Sequence, residues 1–374
     1  MSKNANKCCA KKTSIGGQAL MEGIMMRGPE TTAMAVRNPA GEIVLEKIPT
    51  QTKKKAKIFT LPIIRGLFNY IDSMMLGTKC LMRSAEISGL EEAEEELRRE
   101  KEAKKAAKAA KKAQKNGVDP TANIIEESSE VASNEETIES NNKGEKDKES
   151  SIMTGLVMTL GVVLGIFLSI GLFFILPTLI YGGIAYIFPA VKHKDPAINS
   201  LIQSIIEGVL KLVIIVGYMA LMILMKDIRR TFQFHGAEHK TIFCYEQGLE
   251  LTVENVRRQK RFHPRCGTSF LILMILVSIF ISFFINPLYH VIFHSEPAIW
   301  ARVLIKLILI PLIVGIGYEL IKIAGKHDNW FTRIISAPGV WLQHITVLEP
   351  DDSMIECAIA AMNEVIPNDE SDNW

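Results

Sequence analysis

The sequence predicts a mainly α-helical, polytopic membrane protein. It should have about four transmembrane helices, a small N-terminal cytoplasmic β-hairpin region and a cytoplasmic C-terminal helix. Three observations carry that prediction. Four apolar stretches between residues 151 and 326 each supply the roughly 20 residues that a helix needs to cross a hydrocarbon core of about 30 Å. Lysine and arginine gather on one side of those stretches. Ahead of them, "TAMAVRNPAGEIVLEKI" alternates apolar and polar residues around a Pro-Ala-Gly turn, the period of two paired strands.

The elements follow in chain order. Residues 1–60 form an N-terminal cytoplasmic region that holds the hairpin. The basic start is not followed by a signal peptide, because Gln18 and Glu22 break the apolar stretch after it. "SIGGQALMEGIMMRGPE" reads as a glycine-rich, tightly turned segment with Glu22 and Arg27 held close, either as a structural pair or as part of a cytoplasmic site. Residues 61–116 start with an amphipathic helix, "LPIIRGLFNYIDSMMLGTKCLMRSAEI", which would lie on the membrane or on the bundle. A solvated helix follows with acids first and bases last, as the helix dipole prefers. Residues 117–150 lack apolar content and are expected to be disordered.

The membrane domain covers residues 151–326, with spans at 152–188, 198–225, 266–285 and 300–323. The first is longer than needed. Its first 25 residues read as the span, and Pro177 and Gly182-Gly183 break the remainder into a kinked or interfacial continuation. Residues 327–374 form a cytoplasmic C-terminal segment with a helix capped by Asp351 or Asp352.

Orientation follows from the charges. The loop 226–265 carries Lys226, Arg229, Arg230, Lys240, Arg257, Arg258, Lys260, Arg261 and Arg265, while the opposite face offers Lys192, Lys194 and Arg302. The loop and both termini are therefore expected in the cytoplasm of a multi-pass protein of the cell membrane. The net charge of +2 gives no global field for nucleic acid, and none is expected as a partner. Six scattered cysteines, among them Cys244 and Cys266, lack the spacing of a disulfide framework.

The chemistry concentrates in "FHGAEHKTIFC", directly after the second span. On a helix, His235 and His239 stand one turn apart on one face, so both imidazoles can hold one ion. The order H-x-x-E-H is that of inverted zinc peptidases, in which the glutamate, here Glu238, activates water. Further ligands are sought in His263 and Cys266 of "FHPRCG", which Pro264 should hold extended with both side chains turned the same way. Glu319 in the fourth span is another candidate, since charges inside spans are costly and usually functional; a salt-bridged packing role is the alternative. Cys244 lies off the shared face and reads first as a buried thiol. The mixed donor set suits a divalent metal, zinc before iron or manganese. Plain interfacial histidines are the alternative. A second pair, His290 and His294, lies on the outer face and reads as an interfacial belt, and Glu207 with Lys211 reads as an i, i+4 ion pair within the second span.

"SIGGQALMEGIMMRGP", "GAEHK", "HPRCGTSF", "YEL" and "LEPDDSMIECAIAAM" occur in an order that resembles the YqhQ-like bacterial membrane proteins, over nearly the whole chain outside residues 91–150. That family carries the label "predicted metal-dependent enzyme". The resemblance implies a metal site at His235, Glu238, His239, His263 and Cys266, with Glu319 as an addition.

Three functions are expected in order. The first is a membrane-embedded metalloenzyme, hydrolytic by its residues, with Glu238 as general base and a lipid or membrane-protein substrate. The second is a non-enzymatic scaffold whose metal site is structural. The third is a metal transporter, which the few polar residues in spans two to four disfavour.

Overall fold

A computed structural model describes residues 11–49, 57–89 and 160–373, apart from 296, 328 and 370. Residues 1–89 and 173–374 form one compact unit and 90–172 another. Of the second unit the described part is 160–172, which is helical. The charged helix expected near residues 91–115 and the disorder expected at 117–150 lie outside the described residues.

Four strands make an antiparallel meander in the order β1-β2-β3-β4: β1 (Gly16–Leu20), β2 (Gly23–Arg27), β3 (Thr31–Arg37) and β4 (Ile43–Pro49). The expected hairpin is β3–β4, with Ala35 opposite Leu45 and Val36 opposite Val44. The segment read as a tight turn is itself a hairpin, β1–β2, reversing at Met21-Glu22, where Glu22 takes a φ of 50°. Its strand period was hidden because β2 is covered on both faces, so its buried run Ile24, Met25, Met26 is continuously apolar. Glu22 and Arg27 do not pair. Arg230 takes Glu22 through two hydrogen bonds, and Arg27 reaches Ser73, because Glu22 sits in the β1–β2 turn and Arg27 at the far end of the extended strand β2, about 16 Å along the chain.

Two layers cover the sheet. On one face Leu20, Met25, Met34 and Val36 pack with Cys80 of α1 (Ile64–Ile87). On the other, Ile24, Met26, Ala33 and Ala35 pack with Phe234 and Ala237 of a long helix after the second span, and with Met354, Ile355 and Ala358 of the C-terminal helix.

Among the described residues three helices are long and apolar enough to cross a membrane: α2 (Leu160–Ile187), α3 (Pro196–Met222) and, further on, α6 (Gly267–Phe293). A fourth span exists if α7 (Ile299–Ile308) and α8 (Ile310–Lys326), bent by 46°, count as one. The first span departs from expectation. Neither Pro177 nor Gly182-Gly183 interrupts α2. Instead a π turn at Gly171–Ile175 precedes Pro177, which then sits in the first turn of the following α-helical stretch, where its missing N–H has least consequence.

Between the spans lie α4 (Lys226–Glu246) and the short α5 (Val253–Arg257). After α8 come α9 (Trp330–Thr346), a helix not expected from the sequence, and α10 (Asp352–Asn363). Asp351 caps α10 as expected, accepting from the Met354 N–H at 3.0 Å. A reciprocal capping pair of Asn329 and Thr332 starts α9, and Pro338 inside the helix disguised it.

The Glu207–Lys211 ion pair also needs correcting. Glu207 pairs instead with Lys306 at 2.7 Å, across the bundle, while the Lys211 ammonium lies 5.3 Å from the centre of the Phe174 ring. A base on the facing α7 reaches the carboxylate squarely, which a lysine one turn along the same helix does not.

Candidate metal centre

Helix α4 carries the two histidines because its inner face is anchored to the sheet by Phe234, Ala237 and Cys244. Its other close neighbour is the chain after α9. The Leu348 N–H donates to the Phe232 carbonyl at 2.9 Å, and a Cβ on Gly236 would stand 1.9 Å from the Leu348 oxygen. Only glycine lets the two backbones approach that closely.

The rings of His235 and His239 have centroids 4.5 Å apart. Each spends its Nδ1 on a backbone carbonyl: His235 on Thr346 at 3.0 Å, His239 on Arg261 at 2.5 Å. A carbonyl only accepts, so each Nδ1 carries the proton and each Nε2 is left as a lone-pair donor. His235 Nε2 lies 3.0 Å from Cys266 Sγ. His239 Nε2 is buried with no hydrogen-bond partner among the described residues. The ligand atoms of His235, His239 and Cys266 all fall within 4.8 Å of one another. Cys266 caps α6, receiving the Thr268 N–H at 3.4 Å.

Glu238 is buried beside this group, and its Oε2 also lacks a partner. The β1 backbone comes up against it: a Cβ on Gly17 would meet the Glu238 carboxyl carbon at 2.9 Å. Burial pushes the Glu238 carboxyl above the usual carboxylate range, against the pull of both imidazoles. For Cys266, burial would raise the thiol, but His235 and His239 outweigh it and hold it well below its ordinary value. Burial would likewise lower His235, yet Cys266 and Glu238 carry it up to about 9.

The other candidates stand apart from this group. Pro264 does not turn His263 and Cys266 the same way. His263 turns to Glu246, Nε2 to Oε2 at 3.7 Å, and accepts the Arg265 N–H at 3.3 Å; burial lowers its basicity, opposed by Glu246. Its ring remains 5.6 Å from that of His239. Arg65 grips Glu319 at both oxygens, at 2.7 and 2.5 Å. That is the salt-bridged packing role, and it leaves Glu319 outside the group. Cys244 is buried against the carbonyls of Leu249 and Glu250. His290 and His294 are exposed at the far end of α6.

Several contributors escaped sequence reasoning. Gln343 of α9 is fully buried; its side chain accepts the His263 N–H at 2.8 Å and donates to the His263 carbonyl at 2.7 Å, fixing the turn that delivers Cys266. A lone amide in the apolar "GVWLQHIT" was the available signal. Glu246, two turns past His239 on the same helix, could have been found from that spacing. The carbonyls of Arg261 and Thr346 give no side-chain signal at all.

Two histidine nitrogens and a cysteine sulfur within 4.8 Å of one another could hold a metal ion with a position left over, and the Glu238 carboxyl stands beside them. The unpartnered His239 Nε2 is the observation that tests this fit, since a buried lone pair without a partner is rare. A family model described as "Protein of unknown function (DUF1385)" matches residues 61–368, which include this whole group. The chain is 31% identical over 356 residues to the "Uncharacterized protein YqhQ" of Bacillus subtilis (strain 168), covering 94% of this chain and 92% of that one. No solved structure matches it. The chain therefore belongs to the DUF1385 family of YqhQ-like proteins.

Proposed function

We propose that this protein is a multi-pass membrane metalloenzyme, most consistent with hydrolysis, whose His235–His239–Cys266 centre holds a divalent ion, zinc first, at the cytoplasmic ends of its spans. The observation that carries the reading is the buried, unpartnered His239 Nε2 beside His235 Nε2 and Cys266 Sγ, with both Nδ1 protons already committed to carbonyls. The positive loop 226–265 supports cytoplasmic placement of the centre and of both termini.

A bound ion of this kind supplies Lewis acidity and lowers the pKa of water towards neutrality. The chain's own residues do the rest. The Thr346 and Arg261 carbonyls hold the imidazoles in the ligating tautomer. Glu238 is the general base: its free Oε2 takes a proton from water and returns it to the leaving group, a task suited to a carboxyl raised by burial. His263, Glu246 and Arg265 brace the turn and are not ligands. The substrate is membrane-borne, a lipid headgroup, a polyprenyl carrier or a membrane-protein segment, because α4 follows directly on a span.

Metal analysis of the purified full chain tests this. His235→Ala, His239→Ala and Cys266→Ser should each lose most of the bound metal, while Glu238→Gln keeps it. Full metal content in both histidine variants would sink the proposal. A structural site is the second reading, favoured by the nearness of the His263 ring as a fourth donor. Cobalt substitution separates the two: azide should alter the visible spectrum of an open site and leave a closed, four-ligand site unchanged.

A further inference from the structure

A second polar cluster lies inside the bundle, towards the span ends opposite the histidines. Buried Glu207 of α3 accepts from Gln203 at 2.8 Å, pairs with Lys306 at 2.7 Å and lies 3.7 Å from Arg302 of α7. Lys211, also buried, has no carboxylate at ion-pair distance among the described residues and rests over Phe174. Among the described residues the cluster sets three bases (Lys211, Lys306, Arg302) against one buried acid (Glu207), so it is short of negative charge. Unmatched charge away from water is costly and marks a site for a counter-charge.

Beside the cluster is a cavity of about 430 Å³, lined by Tyr181, Gln203 and Arg302 and, in the exposed loop, by Lys192, His193 and Lys194. Two polar atoms of its wall are buried without partners: the Tyr181 hydroxyl, on a residue 6% exposed, and Arg302 Nε. A hydroxyl donor, a guanidinium N–H and the ammonium groups of Lys192 and Lys194 around one cavity, with the base-rich cluster behind it, are complementary to a tetrahedral oxyanion. The Glu207 carboxylate, hydrogen-bonded by Gln203 and Lys306, sets the bases in place and reduces their repulsion.

We propose that this cavity binds a phosphoryl anion, carried on a lipid headgroup or free as phosphate. The anion accepts from Tyr181 and Arg302 and supplies the missing negative charge. The site does not depend on the metal centre, and His239→Ala leaves it unchanged.

The test uses purified full-length chain in phosphate-free detergent. Thermal unfolding is followed against inorganic phosphate, dihexanoyl phosphatidic acid and, as zwitterionic control, dihexanoyl phosphatidylcholine. The melting temperature should rise with phosphatidic acid or phosphate and not with the control. A larger effect of phosphatidic acid assigns the headgroup, and equal effects assign the free anion; both support the site. Tyr181→Phe, which removes one oxygen and spares the fold, should weaken binding about tenfold or more, the worth of one hydrogen bond to a charged group. Arg302→Gln should weaken it further. Glu207→Gln, which raises the local positive charge, should tighten it. Absence of a shift with either anion overturns the proposal, and so does a Glu207→Gln that weakens binding as Arg302→Gln does, since the cluster would then be structural only.

Discussion

Single residues hold this centre together from outside it. Gln343 satisfies both backbone groups of His263 and donates to Ser269 at 3.2 Å. Gln343→Leu leaves a buried N–H and C=O unpaired, each worth about 1–3 kcal/mol. Chemical denaturation should show a loss of about 2–4 kcal/mol, and metal content should fall with it although no ligand is altered. Asp372 acts similarly at the other end of α4. Burial raises its carboxyl, but Lys11 at 2.7 Å, Thr13 and Tyr245 overcome that and hold it below the usual aspartate value. A depressed folded pKa contributes stability above the unfolded value of about 3.9 and loses it as pH falls through the folded value. Melting curves of wild type and Asp372→Asn should therefore differ by a constant gap from neutral pH down to about 5, and converge below about 4. A gap that persists at the lowest pH would assign Asp372 a purely steric role.

Elements set the closeness that the residues exploit. Helix α4 lies directly on the strand-like chain 347–350, with Gly236 at the crossing. Gly236→Ala should cost about 1–3 kcal/mol or more, because the atom it meets is backbone and cannot rotate away. It should also move Thr346 off His235, so metal content and thermal stability should fall together; an unchanged melting temperature would refute the contact. The legible and illegible parts of the sequence divide at this scale. The spans, the hairpin β3–β4 and α10 carried their own periodicity or caps. Strand β2 and helix α9 did not, because each is dominated by what covers it: β2 by helices on both faces, α9 by the Pro338 that its sequence places mid-helix. The histidine pair and Cys266 were legible from spacing and chemistry. The destinations of His263, Glu22 and Glu319 were not, since Glu246, Arg230 and Arg65 compete for them from distant segments.

At the scale of the whole molecule, the sheet packs with α4 and α10 into one apolar core, and the centre lies on α4, which follows directly on the apolar helix α3. The proposed topology has a direct check. Single cysteines introduced near His193 and His294 should react with a membrane-impermeant maleimide in intact cells, and one near Arg257 should react only after lysis. Labelling of the Arg257 position in intact cells would reverse the orientation.

The sheet core has a consequence for how the protein is made. Strand β3 closes onto α10 through Arg37, which donates to the Ser353 carbonyl 316 positions later, and all the spans lie between them in the chain. At about 5–20 residues per second, the early strands wait roughly 15 to 60 seconds in the ribosome's neighbourhood for the helix that covers them. During that interval Ile24, Met26, Ala33 and Ala35 can meet Phe234 and Ala237 of α4 but not yet Met354, Ile355 and Ala358 of α10. A chain stalled before α10 would therefore leave one face of the sheet only partly covered, an aggregation hazard for chaperones and proteases to meet.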